Sequence, residues 1–499
     1  MADEEWRRLS RRMLLIHPVQ ELLRAWPVLL GLLFAGASGG HGSWWSLVGT
    51  TVVVVAGMAR WFTTTYRISP QQVQVRKGLV RRQVLTVPMD RIRSVDVTAN
   101  PFHRALGLAK VTVGTGRSDR KAEDLKLDAL TTADAARLRE ELLHRRGTTP
   151  DPADSAAAPA QETLIAAVRP EWVRYGPFTL TGVLTVGVIA AAASRIVSET
   201  HVNPRRFGPL RTITGQFGRT TPALQIAEVV LALVVVITLA STITYVLAFL
   251  NFRLTRNNAG TLHVARGLIT TRKTTIEERR LRGIELSEPL LLRAVGGARC
   301  IAITTGLRVG RGAERGGSLL LPPAPRAEAW RVATEILRRN APVAGALVPH
   351  GRRARTRRYA RALTVCLIVV IVLGVGWVLG WIPAGAWVAS LALLPAGAWL
   401  AFDRFHALGH AVIDGMVVSR RGSLVRRRSM LSCDGIIGWN LRRSFWQRRA
   451  GLVSLTATTA AGKQKLLIQD IGDDEAVLLA QEALPGLLTP FLEVPVHRP

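Results

Sequence analysis

The fold is decided by the stretch Tyr66-Arg67-Ile68-Ser69 and the run that follows it, Val73-Gln74-Val75-Arg76-Lys77-Gly78-Leu79-Val80, because both recur. The second occurrence reads Phe252-Arg253-Leu254-Thr255 and then His263-Val264-Ala265-Arg266-Gly267-Leu268-Ile269. A diverged third occurrence begins at His410-Ala411-Val412-Ile413. A period of roughly 170 residues indicates an internal triplication, so we expect three copies of one unit.

The copies stay aligned beyond this opening motif. Val95-Asp96 matches Ile284-Glu285, and Gly107 matches Gly296 without an intervening gap. Short runs of alternating apolar and polar residues, divided by glycine or polar turns, predict that each copy is built of β-strands. Each copy then closes with a helical pattern. These patterns cover residues 131–143, 325–339 and 473–484.

Strongly apolar segments separate the copies. They cover residues 25–37, 44–59, 177–193, 223–250, 362–382 and 384–402. A spanning helix needs about 20 apolar residues, a length that the last three segments reach and the first three do not. Charge-free turns at 38–43 and 382–385 join the first and the last pair, which favours membrane hairpins over buried soluble helices. The predicted fold class is a membrane α + β protein with six transmembrane helices in three hairpins, each followed by a β domain.

The charge distribution predicts the orientation of this chain in a membrane. The net charge is +31, from 66 Lys and Arg against 35 Asp and Glu. Bases follow the second apolar segment, crowd 352–361 before the fifth, and follow the sixth at Arg404. The positive-inside rule then places both termini and all three β domains in the cytoplasm of a cell with an inner (plasma) membrane. The basic loop at 194–222 runs against this rule, so the orientation of the middle hairpin stays open.

The repeated motif also carries a family resemblance. Tyr66-Arg67-Ile68-Ser69, Arg76-Lys77-Gly78-Leu79-Val80, Pro88 with Arg91-Ile92, and Arg104 with Gly107-Leu108 resemble the bacterial pleckstrin-homology (PH) domain of YdbS/YdbT-like membrane proteins. The resemblance implies a PH-like β-sandwich or open barrel with a C-terminal helix in each copy. It also implies membrane residence and a role in the cell envelope, with no known reaction.

The motif positions and the apolar segments together predict the domain organisation. The first hairpin occupies 1–60, PH-like domain 1 occupies 61–147, and a linker follows at 148–170. The remaining divisions are the second hairpin at 171–251, PH-like domain 2 at 252–342, a basic linker at 343–361, the third hairpin at 362–403 and the diverged PH-like domain 3 at 404–499.

Clusters of bases beside the membrane are candidates for lipid contact. Each base near an anionic leaflet contributes about 1 kcal/mol of attraction. The candidates are Arg76, Lys77, Arg81, Arg82, Arg426, Arg427 and Arg428. The alternative is that these bases only satisfy the positive-inside rule and lie in solvent. Nucleic acid is not an expected partner, because no groove-reading or aromatic-interleaved motif accompanies the charge.

Patterns typical of catalysis are weak. His406 and His410 stand four residues apart but lack the glutamate of the zinc-hydrolase motif, and no Ser/His/Asp set stands out. We therefore expect no enzyme activity and no cofactor or metal. The favoured function is a binding or scaffold role at the cytoplasmic face, in envelope maintenance or stress resistance. Anionic membrane lipids and a second PH-domain membrane protein are the candidate partners, and the alternative function is a transporter or lipid-handling protein with regulatory PH-like domains.

Overall fold

The computed structural model of the protein divides into two compact units, Met1–Thr275 (unit 1) and Ile276–Pro499 (unit 2). The first two predicted membrane segments lie outside the described residues, and so does most of the third. The described residues are 7–8, 65–69, 71–77, 83–88, 94–114, 125–134, 162–179, 186–187, 191, 222–258, 260–305 and 318–487.

The described part of unit 1 forms two antiparallel sheets, the last strand of which runs two residues past the end of the unit. The strands of the first, in their spatial order, are β1 (Arg7–Arg8), β2 (Thr65–Ile68), β3 (Gln72–Lys77) and β4 (Gln83–Pro88). The strands of the second are β5 (Ser94–Ala99), β6 (Leu108–Gly114), β7 (Leu125–Thr131), β8 (Glu162–Ala167), β9 (Arg253–Asn257), β10 (Thr261–Arg266) and β11 (Thr271–Glu277). Their spatial order is β7-β6-β5-β11-β10-β9-β8.

Unit 2 also contains two antiparallel sheets. The larger has the strands β12 (Leu281–Pro289), β13 (Gly297–Thr304), β14 (Leu319–Pro325), β15 (Gly409–Ile413), β16 (Met416–Arg421) and β17 (Val425–Ser432), in the order β14-β13-β12-β17-β16-β15. The smaller has β18 (Ile436–Arg442), β19 (Leu452–Thr459) and β20 (Lys465–Gly472), paired in that order.

Most of the described α-helices directly precede or follow a strand in the chain. They are α1 (Pro101–Ala105), α2 (Pro222–Phe249), α3 (Leu290–Ala294), α4 (Arg326–Leu337), α5 (Ala341–Ala344), α6 (Arg352–Val378), α7 (Ala384–Ser390), α8 (Leu393–His406), α9 (Phe445–Arg449) and α10 (Asp473–Ala483). The helices predicted at 325–339 and 473–484 are confirmed as α4 and α10. The one predicted at 131–143 is described only at its start, where the amide of Asp134 donates to Thr131 Oγ1 at 3.1 Å.

Successive copies share sheets, which the sequence did not predict. In unit 1, β5 of copy 1 pairs with β11 of copy 2, and Asp96 lies opposite Thr274. In unit 2, β12 of copy 2 pairs with β17 of copy 3, and Glu285 lies opposite Ser429. The strands of copy 2 are therefore divided between two sheets, each of which is completed by a neighbouring copy.

The repeat is visible in backbone geometry. In each copy a short helix joins two strands, and the glycine that follows it is left-handed: φ is +67° at Gly107, +71° at Gly296 and +60° at Gly451. Glycine populates this region without steric cost, whereas other residues are strained there. The aligned glycines of the motif thus reflect one turn that all three copies need.

Among the described residues, three helical segments are long and apolar enough to cross a membrane: Val230–Phe249, Arg352–Val378 and Ala384–His406. They coincide with the fourth, fifth and sixth predicted segments. Side chains along them are exposed, as at Val365 (59%) and Val372 (61%), which suits a lipid environment. The chain is a membrane protein of mixed α and β structure.

The helix pair α6 and α8 is tied to the third copy by buried polar contacts. Asp470, 1% exposed, forms ion pairs with Arg357 and Arg358 at the start of α6. His350 Nδ1 donates to the Asp470 carbonyl at 2.9 Å, and His410 Nδ1 lies 3.1 Å from His350 Nε2. With both imidazoles neutral, His410 donates and His350 accepts, so the hydrogen bond between the two rings has one donor and one acceptor.

The core of the third copy lies between its small sheet and its closing helix. Val453, Leu455 and Ile468 point inward from β19 and β20, and Leu479 and Ala480 face them from α10. Along both strands buried residues alternate mainly with partly buried ones, as expected when one face of a strand packs on a core. This packing fixes the β19–β20 turn, which borders the candidate site.

Candidate functional site

Asp96 closes the junction between copies 1 and 2. Its carboxylate accepts hydrogen bonds from the Thr274 hydroxyl and from the Arg272 guanidinium, both on β11. The side chains of Asp96 and Arg272 are only 14% and 23% exposed. We call this arrangement the first junction; it is a compact ion pair that is largely shielded from water.

Glu285 takes the matching place between copies 2 and 3, which we call the second junction. Ser429 Oγ donates to Glu285 Oε2 at 3.3 Å, and Arg427 Nε lies 3.6 Å from Glu285 Oε1. Arg427 precedes Ser429 by two residues, just as Arg272 precedes Thr274. An acid, an arginine and a hydroxyl therefore recur in the same register, although the contacts of the second junction are longer.

A cleft of about 240 Å³ opens over the second junction. Its charged lining residues are Arg299, Arg421, Arg427, Lys463, Lys465 and Glu285, and we call it the basic cleft. Lys463 Nζ lies 3.5 Å from Glu285 Oε1, so the one carboxylate is shared between cations. Five cations with one acid leave a strong excess of positive charge in a partly enclosed space, which attracts anions.

Backbone contacts hold the turn that carries Lys463 over the sheet. The amide of Gly462 donates to the Thr304 carbonyl at 3.0 Å, and Ala461 forms an isolated bridge with Thr305. Gly462 itself is left-handed, at φ +57°. Because this turn is attached to the end of β13, the position of Lys463 relative to Glu285 is set by the fold rather than by a free loop.

Electrostatics within the basic cleft favour an incoming anion. Burial lowers the pKa of Arg421; Glu285 opposes this effect and the nearby Arg427 adds to it. Burial also lowers the pKa of Lys463, and Arg427 and Arg421 lower it further against the opposing influence of Glu285. Both cations have thus lost part of their hydration, Lys463 less than a buried group because its side chain is 39% exposed, and a bound anion would stabilise their charged forms.

The first group of predicted lipid-contact residues is only partly described. Arg76 lies on β3 opposite Val84 and is half-buried, and Lys77 ends the same strand. Arg81 and Arg82 lie outside the described residues. The arrangement of these four bases relative to one another therefore lies outside the described residues.

The second predicted group, Arg426 to Arg428, lies on β17 in the middle of a sheet. Arg426 binds Asp403 at 3.0 Å, and Arg428 donates to the carbonyls of Pro342 and Gly345. Burial, with repulsion from the neighbouring Arg420 and Arg326, lowers the pKa of Arg428 to about 10. Only Arg427 lines the basic cleft, because successive strand residues point to opposite faces. The three adjacent bases thus have different partners.

Sequence reasoning missed most of the basic cleft. Arg421 lies outside the predicted basic clusters, and Glu285 entered the sequence analysis only as the counterpart of Asp96. Arg299, Lys463 and Lys465 are scattered along the chain and belong to no cluster of bases. The usable signal was the acid repeated at the same place in β5 and β12, since a carboxylate in a buried sheet needs a cationic or hydrogen-bonding partner.

The histidines considered as metal ligands are turned to other partners. His406 Nδ1 contacts the Phe402 carbonyl at 2.9 Å, whereas His410 contacts His350. Within the described ranges, no group of three or more His, Cys, Asp or Glu side chains could hold a metal ion. The residues best placed to bind a ligand are therefore those of the basic cleft, and their chemistry selects anions.

Comparison with known proteins agrees with the repeat. The model of the bacterial PH domain family matches residues 19–146, 210–340 and 360–483. The UPF0699 transmembrane protein YdbT of Bacillus subtilis (strain 168) is 21% identical over 447 residues, which cover 86% of each chain. No solved structure matches the chain. Because three family matches cover most of the sequence, in the order of the three copies, the chain belongs to the bacterial PH domain family.

Proposed function

We propose that the protein is a membrane-anchored scaffold whose basic cleft receives an acidic segment of a partner protein. The partner would be held at the cytoplasmic face of the plasma membrane, in a role that serves envelope maintenance and involves no catalysis. The observation that carries this proposal is the excess of four positive charges around Glu285. Membership of a PH-domain family, whose transmembrane relative carries no enzyme name, suggests a non-catalytic protein.

An acidic protein segment suits the cleft better than a bilayer surface does. The lining residues come from β12, β13, β16, β17, the β19–β20 turn and the adjoining strand ends, and none belongs to the apolar helices. Arginine side chains such as Arg421 and Arg427 can bind a carboxylate with two parallel hydrogen bonds. Complementary charge also speeds encounter with an acidic partner. A second PH-domain membrane protein remains one candidate for that partner.

Binding of a labelled hexaglutamate peptide to the full-length protein in lipid nanodiscs tests the cleft. We expect the double variant Lys463→Glu/Lys465→Glu to weaken binding about 100-fold, since two attractive contacts of about 1 to 2 kcal/mol each are reversed. The matched control is Arg448→Glu/Arg449→Glu, which changes the net charge equally at exposed positions outside the cleft. Equal losses of peptide affinity in the two variants would show that binding depends only on the net charge of the protein, and the proposed site would be wrong.

The proposed topology has six spans in three hairpins, with both termini cytoplasmic. Its support is the group of arginines in the first turns of α6 and Arg404 near the end of α8, which lie at the same end of the last two predicted spans. Reporter enzymes that are active only outside the cytoplasm can be fused after Gly147 and after Pro499. Activity at either position would contradict the topology.

A further inference from the structure

A separate basic pocket lies at one end of the helix pair in unit 2. It has a volume of about 380 Å³ and is lined by Arg358 and Arg361 of α6, Arg404 of α8 and the turn at 422–425. We call it the helix-end pocket. It shares no lining residue with the basic cleft, so an argument about it does not depend on the proposed function.

The helix-end pocket lies where both helices change from basic to apolar. Helix α6 is rich in arginine up to Arg361 and apolar from Ala362 onward, and α8 is apolar up to Phe402, just before Asp403 and Arg404. When the apolar parts occupy the hydrocarbon region, this boundary lies at the level of the lipid headgroups. The pocket is therefore at the right depth for a headgroup.

Of the three arginines in the pocket, Arg358 has a carboxylate partner in the described part of the chain and the other two do not. Within the described ranges, no acidic residue lines the pocket. Asp403 is bound to Arg293 and Arg426 at 3.0 Å, and Asp470 is bound on the protein side to Arg357 and Arg358. Among the described residues, Arg361 and Arg404 have neither an ion pair nor a hydrogen bond. An anion would relieve the repulsion within this group of arginines.

Two buried donors in the pocket also lack partners. Ser423 is only 4% exposed, and its hydroxyl has no hydrogen-bond partner among the described residues. The same is true of Nε of Arg358, whose side chain is 11% exposed. Buried polar groups are nearly always satisfied, so these two donors point to a ligand that carries acceptor oxygens. A phosphate group offers such oxygens to several donors at once.

The turn beside the pocket favours a lipid over a free ion. Leu424 is 59% exposed at the pocket rim. The matching turn of copy 2 lies against the end of apolar helix α2: the amides of Gly267 and Leu268 donate to the carbonyls of Leu250 and Leu247 at 3.0 Å. Both turns thus present an exposed leucine next to a membrane helix, since Leu268 is 38% exposed. An apolar side chain at this depth can contact acyl chains.

We infer that the helix-end pocket binds the headgroup phosphate of an anionic glycerophospholipid of the surrounding bilayer. Arg361 and Arg404 bind the phosphate oxygens from the two helices, and Ser423 and Arg358 donate from the protein side. Basic pockets between helix ends are a known geometry for such headgroups. The bound lipid stabilises the attachment of α6 and α8 to the third copy.

Native mass spectrometry of the purified full-length protein, delipidated and then titrated, tests this inference. Phosphatidylglycerol is the probe, phosphatidylcholine the zwitterionic control without net charge, and inorganic phosphate the competitor. We expect phosphatidylglycerol to bind and the double variant Arg361→Gln/Arg404→Gln to bind it about 30-fold more weakly. The control Arg352→Gln/Arg355→Gln removes the same charge from exposed positions of α6 outside the pocket and should change binding less than about threefold.

Ser423→Ala provides a variant that keeps every charge, and we expect it to weaken binding by about fivefold, the loss of one hydrogen bond. Equal binding of phosphatidylcholine, or equal losses in the pocket and control variants, would overturn the inference. Displacement of the lipid by inorganic phosphate would show that free phosphate is the ligand and would also overturn it. Lys463→Glu/Lys465→Glu should leave lipid binding unchanged, which separates this result from that of the basic cleft.

Discussion

The two junctions between copies share one design and differ in how tightly it is closed. At the first junction, Asp96 is enclosed by Arg272 and Thr274 in a largely shielded ion pair. At the second, Glu285 makes longer contacts, of 3.3 and 3.6 Å, with Ser429 and Arg427. The extra methylene of glutamate extends its carboxylate above the sheet, where Lys463 also reaches it.

This difference shows that strand register does not decide function by itself. The same acid, arginine and hydroxyl hold successive copies together in both sheets. The two acids are similarly shielded, with side chains 14% exposed at Asp96 and 11% at Glu285. What differs is the length of their contacts and the number and exposure of the cations around them. A repeated structural contact can thus become a binding site without any change in the backbone.

The largest expected contrast is in how stability depends on pH, between the sheet that contains the opening strand of copy 2 and the sheet that contains the opening strand of copy 3. The opening strands place Phe252 in copy 2 and His410 in copy 3, and both side chains are buried. Burial, with repulsion from His350, lowers the pKa of His410 to about 4. Between pH 6.5 and 4, His410 therefore binds a proton in the unfolded chain but not in the folded chain. The contribution of His410 to the free energy of unfolding is fully present above pH 6.5 and is lost as the pH decreases from 6.5 to 4.

His410→Phe should weaken this dependence by restoring the residue of copy 2, and a smaller dependence should remain because burial also lowers the pKa of His350. At pH 4.5 we expect wild-type unit 2 to lose roughly 2 to 3 kcal/mol relative to pH 7.5, and the variant to lose much less. Thermal unfolding midpoints of the full-length protein at the two pH values measure the difference. Parallel losses in wild type and variant would show that His410 is not the titrating group.

The next contrast comes from removing the acid of the first junction. Asp96→Ala leaves the guanidinium of Arg272 partly buried without its carboxylate, which should destabilise the β5–β11 pairing by about 2 kcal/mol after allowance for partial exposure. Hydrogen exchange of the β5 and β11 amides in the full-length protein reports this loss locally. Unchanged exchange there would mean that the ion pair does not hold the copies together.

The matched change at the second junction should cost less. In Glu285→Ala, Arg427 and Lys463 keep access to water because their side chains are already 31% and 39% exposed. We expect a loss of about 1 kcal/mol, seen as faster exchange of β12 and β17 amides. A loss as large as that of Asp96→Ala would erase the distinction between a closed and an open junction.

The turns and helices of this structure could be predicted from the sequence. Aligned glycines such as Gly107 and Gly296 marked turns that need a left-handed residue, and helical periodicity located α4 and α10. Apolar runs of sufficient length located α2 and the pair α6 and α8. All of these signals depend on neighbours within one or two turns of chain, which is the range over which periodicity is informative.

The shared sheets and the basic cleft were not readable in the same way. Pairing between β12 and β17 joins strands of two different copies, and no local pattern encodes that partner. Arg426, Arg427 and Arg428 looked like one cluster, but strand alternation sends only Arg427 into the cleft. Lys463 reaches Glu285 only because the β19–β20 turn is attached to β13.

The smallest expected contrast concerns the removal of a single cation from each junction, which should change stability in opposite directions. Arg272→Gln should destabilise the first junction, because it removes the partner of a shielded carboxylate. Lys463→Gln should instead stabilise unit 2 by a few tenths of a kcal/mol at low salt, because it removes one of several cations that repel each other around a single acid. This gain should shrink as salt is raised from about 0.01 to 0.15 M, since the Debye length falls from about 30 to 8 Å.

Thermal midpoints of both variants at the two salt concentrations measure the effect. A loss of about 1 kcal/mol or more in Lys463→Gln would show that Lys463 serves Glu285 as Arg272 serves Asp96, and the basic cleft would then be a closed structural junction like the first.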